Sequence, residues 1–140
     1  MLRTRLDKLV TLRENAEEKA LENLGKKEAQ VRQAAQLAEQ AWAKAKRDDR
    51  FKADASHWAV IELGHQRATQ HAKLAQQELE RRQTVAAQAR VEHHAAHQQT
   101  AVVRRVADTR REQLRVELAR QDQKAADELS ALMFGLKRAG

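Results

Sequence analysis

The sequence has no cysteine, no proline and no tyrosine, and it contains only four glycines. The absence of cysteine excludes disulfides, thiolate nucleophiles and zinc–thiolate sites. The absence of proline removes the strongest helix breaker, and so few glycines leave long helices almost uninterrupted. Aromatic residues make up only 3% of the chain, so a large globular core is not expected. The abundant Ala, Glu, Gln, Lys, Arg and Leu are typical of coiled coils.

Long apolar runs and glycine-rich phosphate loops are also missing. No stretch reaches the eighteen apolar residues of a membrane span, and the opening Met1-Leu2-Arg3-Thr4-Arg5 does not resemble a signal peptide. We therefore expect a cytoplasmic protein. The carboxylates are spread along solvated helices rather than gathered in a cleft, so we predict no enzyme activity, no cofactor and no small-molecule substrate.

The stretch between Trp58 and Phe134 carries one continuous periodic pattern. Its small and apolar residues recur at spacings of three and four, which predicts one long helix with a coiled-coil seam. The predicted seam consists of Trp58, Ile61, His65, Ala68, Ala72, Ala75, Leu79, Arg82, Ala86, Ala89, His93, Ala96, Thr100, Val103, Ala107, Arg110 and Leu114.

Residues 2–47 have the same period and predict a first helix. A step of four from Ala16 to Ala20 is followed by another to Leu24, which predicts a stutter that locally relaxes the supercoil. The predicted seam of this helix consists of Leu2, Leu6, Leu9, Arg13, Ala16, Ala20, Leu24, Lys27, Val31, Ala34, Ala38, Ala41 and Ala45.

The pattern breaks in the charged stretch 48–56, which we interpret as the turn of an antiparallel hairpin, with helix 2 at about 57–134. One unbroken helix is the alternative, because the stretch has neither glycine nor proline. In an antiparallel hairpin, the numbers of two residues that face each other add up to a constant. A turn near residue 52 would make this sum about 104–106, so that Gly64 faces Trp42. We therefore expect a single all-α helical hairpin over 1–140 with a longer, overhanging second helix.

In that register, residues 104–140 form an overhang with no cover from the first helix. Its predicted stripe has two stutters, and Gly135 is the expected C-cap. Arginines flank its first half, so an apolar stripe among basic groups predicts binding to another protein. The stripe consists of Leu114, Leu118, Gln121, Ala125, Leu129, Leu132 and Leu136.

Three histidines, His93, His94 and His97, form the most enzyme-like cluster. His93 and His97 are one helical turn apart, but neither a carboxylate nor a thiolate is placed to complete a metal site. We therefore predict no metal. The arginines of the overhang could contact phosphates, but stacking aromatics are missing and acidic residues intervene, so nucleic acid is not the favoured partner.

Three of the four aromatic side chains gather near the expected hairpin tip. Trp42, Phe51 and Trp58 either cap the end of the seam or form a docking surface, and the sequence leaves both interpretations open.

The order of segments resembles the FliJ/YscO family, the stalk proteins of type III secretion systems. The resemblance lies in a shorter first helix, a charged turn and a Trp that opens a longer second helix. The tail is similar as well, with Arg110-Arg111-Glu112-Gln113 followed by Arg120-Gln121-Asp122-Gln123-Lys124-Ala125-Ala126-Asp127-Glu128-Leu129. The opening Met-Leu-Arg-x-Arg-Leu-x-x-Leu is closer to the injectisome branch than to the flagellar branch.

This resemblance implies a non-enzymatic stalk and adaptor that inserts into the hexameric secretion ATPase. It also implies contacts with the export gate protein and with export chaperones, at the inner-membrane base of the apparatus. The membrane itself would be met only through that apparatus. The residues that would face the ATPase are Arg110, Arg111, Leu114, Arg115, Leu118, Arg120, Lys124, Asp127 and Glu128. The alternative is a basic coiled-coil scaffold or nucleic-acid-binding protein, since the net charge is +7.

Overall fold

The computed structural model describes residues 4–47 and 54–139, and these residues form an all-α helical hairpin. Helix α1 runs from Arg5–Ala45, and helix α2 runs from Trp58–Ala139. A single turn of 3-10 helix at Ala55–His57 leads into α2. No strand occurs within the described ranges.

The start of α1 is fixed by Thr4 and Asp7. The backbone N–H of Thr4 donates to the Asp7 carboxylate at 2.8 Å, while the N–H of Asp7 donates to the Thr4 carbonyl at 3.1 Å. These bonds form half of a capping box, because a side chain at the third helical position satisfies the N–H at the cap. At the other end of the chain, α2 continues through Gly135, which does not adopt a positive φ angle. The expected C-cap at Gly135 was therefore wrong.

Burial along both helices follows a strict heptad pattern. On α2 every predicted seam residue from Ile61 to Ala107 is buried or half-buried, in alternating steps of four and three, whereas the predicted seam residues Trp58 and Arg110 are exposed. On α1 the seam passes through Val10 and Glu17 rather than the predicted Leu9 and Ala16. With these two corrections the α1 steps also alternate regularly, so the predicted stutter is absent.

The chain divides into two compact units. The first, called here the terminal unit, contains the described residues of Met1–Ala16 and His97–Gly140; the second is Glu17–Ala96. The apolar residues that are buried in the described chain are all alanines, which bury little area each but let helix backbones approach closely. They are Ala34, Ala38, Ala41, Ala45, Ala72, Ala86, Ala89 and Ala107.

Within the Glu17–Ala96 unit, the two helices enclose Ala72, which is 0% exposed. Ala41 and Ala45 of α1 pack against it, and the half-buried Trp42 covers the cluster. Further along, Arg90 Nε lies 3.4 Å from Glu28 Oε1 across the two helices. The small core is thus covered by one large aromatic ring.

Within the terminal unit, several polar contacts join the two helices. Thr100 is 0% exposed, and its hydroxyl donates to the carbonyl of Arg13 at 3.1 Å. The Arg13 guanidinium donates to Gln99 at 2.8 Å, and Arg104 Nη2 lies 3.0 Å from Glu14 Oε1.

The predicted helix register was wrong. Facing residue numbers total 118 in the ion pairs Asp7–Arg111, Glu14–Arg104 and Glu28–Arg90, about twelve more than expected. The reason is that α1 ends at Ala45, which packs near Ala72, so the first turns of α2 extend beyond α1. The charged stretch 48–56 contains neither glycine nor proline, so it gave no strong turn signal from which to locate this centre.

Two consequences follow from the corrected register. Gly64 does not face Trp42: a Cβ built on Gly64 meets no atom within 4 Å among the described residues. The free part of α2 also begins later than Arg104. Every described side chain from Arg115 to Arg138 is exposed, so no described residue covers α2 beyond Leu114. The end of α2 from residue 112 to residue 139 is called here the α2 tail.

Candidate functional site

The α2 tail is the candidate interaction site, because beyond Leu114 it exposes large apolar side chains that no described part of the chain covers. Leu118 is 45% exposed, Leu129 is 59%, Leu132 is 67% and Leu136 is 73%. Leu114, at the start of the tail, is half-buried. Contiguous exposed apolar surface of this kind marks binding sites in proteins.

Seven positions of the tail, six of them apolar, form one narrow stripe, while Val116, Met133 and Phe134 lie outside it. At 100° per residue, the seven predicted stripe positions all lie within about 40° of the direction of Ala125. Their spacing is four, three and four, repeated twice, which is an 11-residue repeat. The two stutters predicted from the sequence are therefore regular parts of this repeat. We call these seven residues the tail stripe.

The charges around the tail stripe are balanced. Residues 112–139 contain five basic and five acidic side chains. Arg115 Nη2 lies 2.6 Å from Glu112 Oε1, and this hydrogen bond holds the pKa of Glu112 below its usual value and raises the pKa of Arg115. Gln123 donates to Asp127 at 3.0 Å. A neutral tail does not favour a polyanionic partner.

The predicted ATPase-facing residues fall into two groups. Arg111 already has two partners within the chain: it pairs with Asp7 of α1, and its Nη1 lies 3.3 Å from Asp108 Oδ1. Arg110, Arg120, Lys124 and Glu128 are exposed and have no ion pair within residues 4–47 and 54–139. Their role in partner binding stays a prediction.

Asp7 has a double role that the sequence reading missed. One carboxylate oxygen accepts the Thr4 N–H and the other pairs with Arg111. The same residue therefore starts α1 and attaches it to α2 immediately before the tail. The spacing Thr4-x-x-Asp7 was a readable capping signal, but the link to Arg111 depends on the helix register.

The two described aromatic residues of the expected tip, Trp42 and Trp58, differ in their exposure to solvent. Trp42 is half-buried against the alanine cluster, which is the capping arrangement, and Trp58 is 55% exposed at the first residue of α2. Phe51 lies outside the described residues. The remaining aromatic, Phe134 in the tail, is 61% exposed and has the Arg138 guanidinium 5.2 Å from its ring centre.

A shallow groove of about 550 Å³ lies between the helices of the Glu17–Ala96 unit. Its lining includes the exposed Leu37 and Leu74, together with Glu78 and Arg82. Glu78 accepts hydrogen bonds from both Arg81 and Arg82, which lower its pKa to about 2. The sequence reading did not identify this groove, because Leu37 and Leu74 lie off the seam.

The histidine cluster stays on one helix. His93 is half-buried on the seam, whereas His94 and His97 are exposed. No group of three potential metal ligands comes together in the part of the chain that the structure describes. Within those residues there is also no helix with the length and apolarity that crossing a membrane requires.

Searches of protein-family models, curated proteins and solved structures each gave no match to this chain.

Proposed function

We propose that this chain is a non-enzymatic stalk and adaptor of a type III secretion export apparatus. In this proposal the α2 tail enters the hexameric secretion ATPase, and the hairpin connects the ATPase to the export gate protein and to export chaperones. The protein would act in the cytoplasm at the inner-membrane base of the apparatus. The resemblance to the FliJ/YscO family supplies the identity of these partners.

The exposed tail stripe is the observation that carries the proposal. A helix with apolar side chains on one face and none of the described chain against them supports insertion into an apolar-lined sleeve. The tail is already helical, so little backbone ordering would oppose binding. A rod held asymmetrically in a ring would favour different subunit conformations in turn, through different contacts with each.

The test is binding of the full chain to the secretion ATPase of the same system, after nuclease treatment. Leu118→Asp should weaken binding at least about tenfold, even at high salt, because it places a charge in an apolar contact. Ser130→Asp is the matched control, since it adds the same charge about 140° away from the stripe. Helicity by circular dichroism should be equal in both variants.

Charge reversal at Arg110 and Arg120 separately tests the arginines that flank the first half of the tail stripe. Arg110→Glu with Arg120→Glu should slow association at low salt and have less effect at high salt, because the charges steer encounter. Arg111 is left unchanged, because it forms an ion pair with Asp7 of α1. The proposal fails if the full chain does not bind the ATPase, or if a chain ending at residue 112 still binds it and supports export.

A further inference from the structure

The sequence of steps in the tail stripe is the same whether it is read from the N-terminal or the C-terminal end of the tail. Its steps from Leu114 to Leu136 are four, three, four, four, three and four, with Ala125 at the centre. A second copy running antiparallel would therefore place Leu114 opposite Leu136, Leu118 opposite Leu132, and Ala125 opposite itself. A two-fold symmetric interface requires this kind of self-complementary surface.

The exposure of these side chains fits such pairing. The large members, Leu118, Leu129, Leu132 and Leu136, are between 45% and 73% exposed, and no described part of the chain covers them. The smallest stripe residue, Ala125, would lie at the symmetry axis, where two alanines allow the helices to come close. The 11-residue spacing keeps the stripe on one side of an almost straight helix.

The charges favour the antiparallel orientation over the parallel one. Antiparallel pairing brings the acidic Glu112 and Glu117 of one copy near Lys137 and Arg138 of the other. Near the centre it brings Arg120 and Lys124 toward Asp127 and Glu128. Like-charged neighbours also occur, namely Arg115 with Lys137 and Arg138, Asp122 with Asp127 and Glu128, and Lys124 with its own copy. A parallel pair, however, would set every charge beside its own copy, and like charges repel.

We propose that two copies of this chain pair through their α2 tails as an antiparallel two-fold dimer, which covers the tail stripe when no other partner is bound. The inference does not rest on the proposed function, because it follows from the pattern and charges of the tail alone. A dimer of this kind would have to dissociate before the same stripe could contact any other protein.

Sedimentation equilibrium of the full chain alone tests whether the dimer forms. The molecular mass should rise toward twice 16.0 kDa with concentration. Leu118→Asp should raise the dissociation constant at least about tenfold, whereas Ser130→Asp should change it less than about twofold. A monomer at every concentration up to about 200 μM would overturn the proposal and leave the stripe to a different protein.

Single cysteines test the orientation, since the chain has no cysteine of its own. Ala125→Cys should form a disulfide-linked dimer on oxidation, whereas Gln123→Cys, on the opposite face, should not. Leu114→Cys should cross-link with Leu136→Cys in a mixture, and neither should cross-link with itself. Self-linking at both 114 and 136 would show a parallel pair, and equal linking at 123 and 125 would show random collision; either result overturns the proposal.

Discussion

Thr100 is the one polar residue among the buried residues of the described chain, and the others are all alanines. Its hydroxyl is fully buried and donates to a backbone carbonyl of the other helix, that of Arg13. A hydroxyl can be buried without a large penalty only where it finds such an acceptor. Because alanines look alike in any register, a single buried hydrogen bond of this kind selects one alignment of the helices.

Replacing Thr100 with Val tests this role. Val has nearly the same shape but no hydroxyl, so Thr100→Val should lower the free energy of unfolding by about 1 kcal/mol in urea denaturation. Thr84→Val is the control, because the Thr84 hydroxyl donates to the carbonyl of Glu80 on its own helix at 3.1 Å and is exposed. Equal effects at both positions would contradict a role for Thr100 in helix pairing.

Glu78 has a pKa well below its ordinary value, which makes a pH dependence of stability testable. Hydrogen bonds from Arg81 and Arg82 lower its pKa from 4.5 to about 2. A carboxylate with a lowered pKa in the folded state stabilises the fold above its unfolded pKa, and this contribution is lost as pH falls. The window for the loss is therefore between pH 4.5 and about 2.

We expect Glu78→Gln to lower the Tm at pH 6, where the carboxylate is charged and bonded. The difference from the wild-type chain should shrink as pH falls through the window and vanish near pH 2. Glu80→Gln, which removes a carboxylate without removing these bonds, is the control. A Tm difference that does not change with pH would show that the ion pairs of Glu78 do not stabilise the helix.

At the scale of the elements, the helices contain glycines that no contact requires. Gly25 and Gly64 lie inside α1 and α2, and a Cβ added at either position meets no atom of the described chain within 4 Å. Glycine inside a helix costs stability because the unfolded chain has more backbone freedom to lose. These residues therefore weaken their helices without a packing benefit in the hairpin.

Gly25→Ala and Gly64→Ala should each raise the free energy of unfolding by about 0.5–1 kcal/mol. Gly64→Leu is a sharper test, because it would overpack if an indole lay opposite, as the sequence-based register required. With open space at this position, the Leu variant should also be more stable than the wild-type chain. A loss of stability in urea denaturation would contradict the register of the structure.

At the scale of the whole molecule, the sequence predicted the seams and the all-α hairpin but not the alignment of its helices. Ala72, Ala86 and Ala107 were placed correctly because burial follows a periodic pattern, which is local information. Register depends instead on which distant residues meet, and here the deciding contacts are Thr100 with Arg13 and Asp7 with Arg111. Contacts between such distant residues produce no periodic pattern in the sequence.

The candidate site was predicted in part for the same reason. Leu118 and Leu132 were assigned to an exposed stripe, which their own spacing reveals. Arg104 was assigned to the free overhang, yet it pairs with Glu14, because the overhang was measured from an assumed turn. The boundary of a free segment depends on pairing elsewhere, so composition alone could not locate it.

The pairing of Asp7 with Arg111, in the register that Thr100 and the other ion pairs share, marks how far α2 extends beyond its partner helix. Because the attachment lies at the start of α1, adding or removing residues between Ala45 and Trp58 would change the size of the connection but not the length of helix beyond Arg111. A slip of one heptad at Asp7 would change that length by about 10 Å. The contacts at the first turn of α1 thus set the length of α2 that extends beyond Arg111, and this length does not depend on the number of residues that connect the helices.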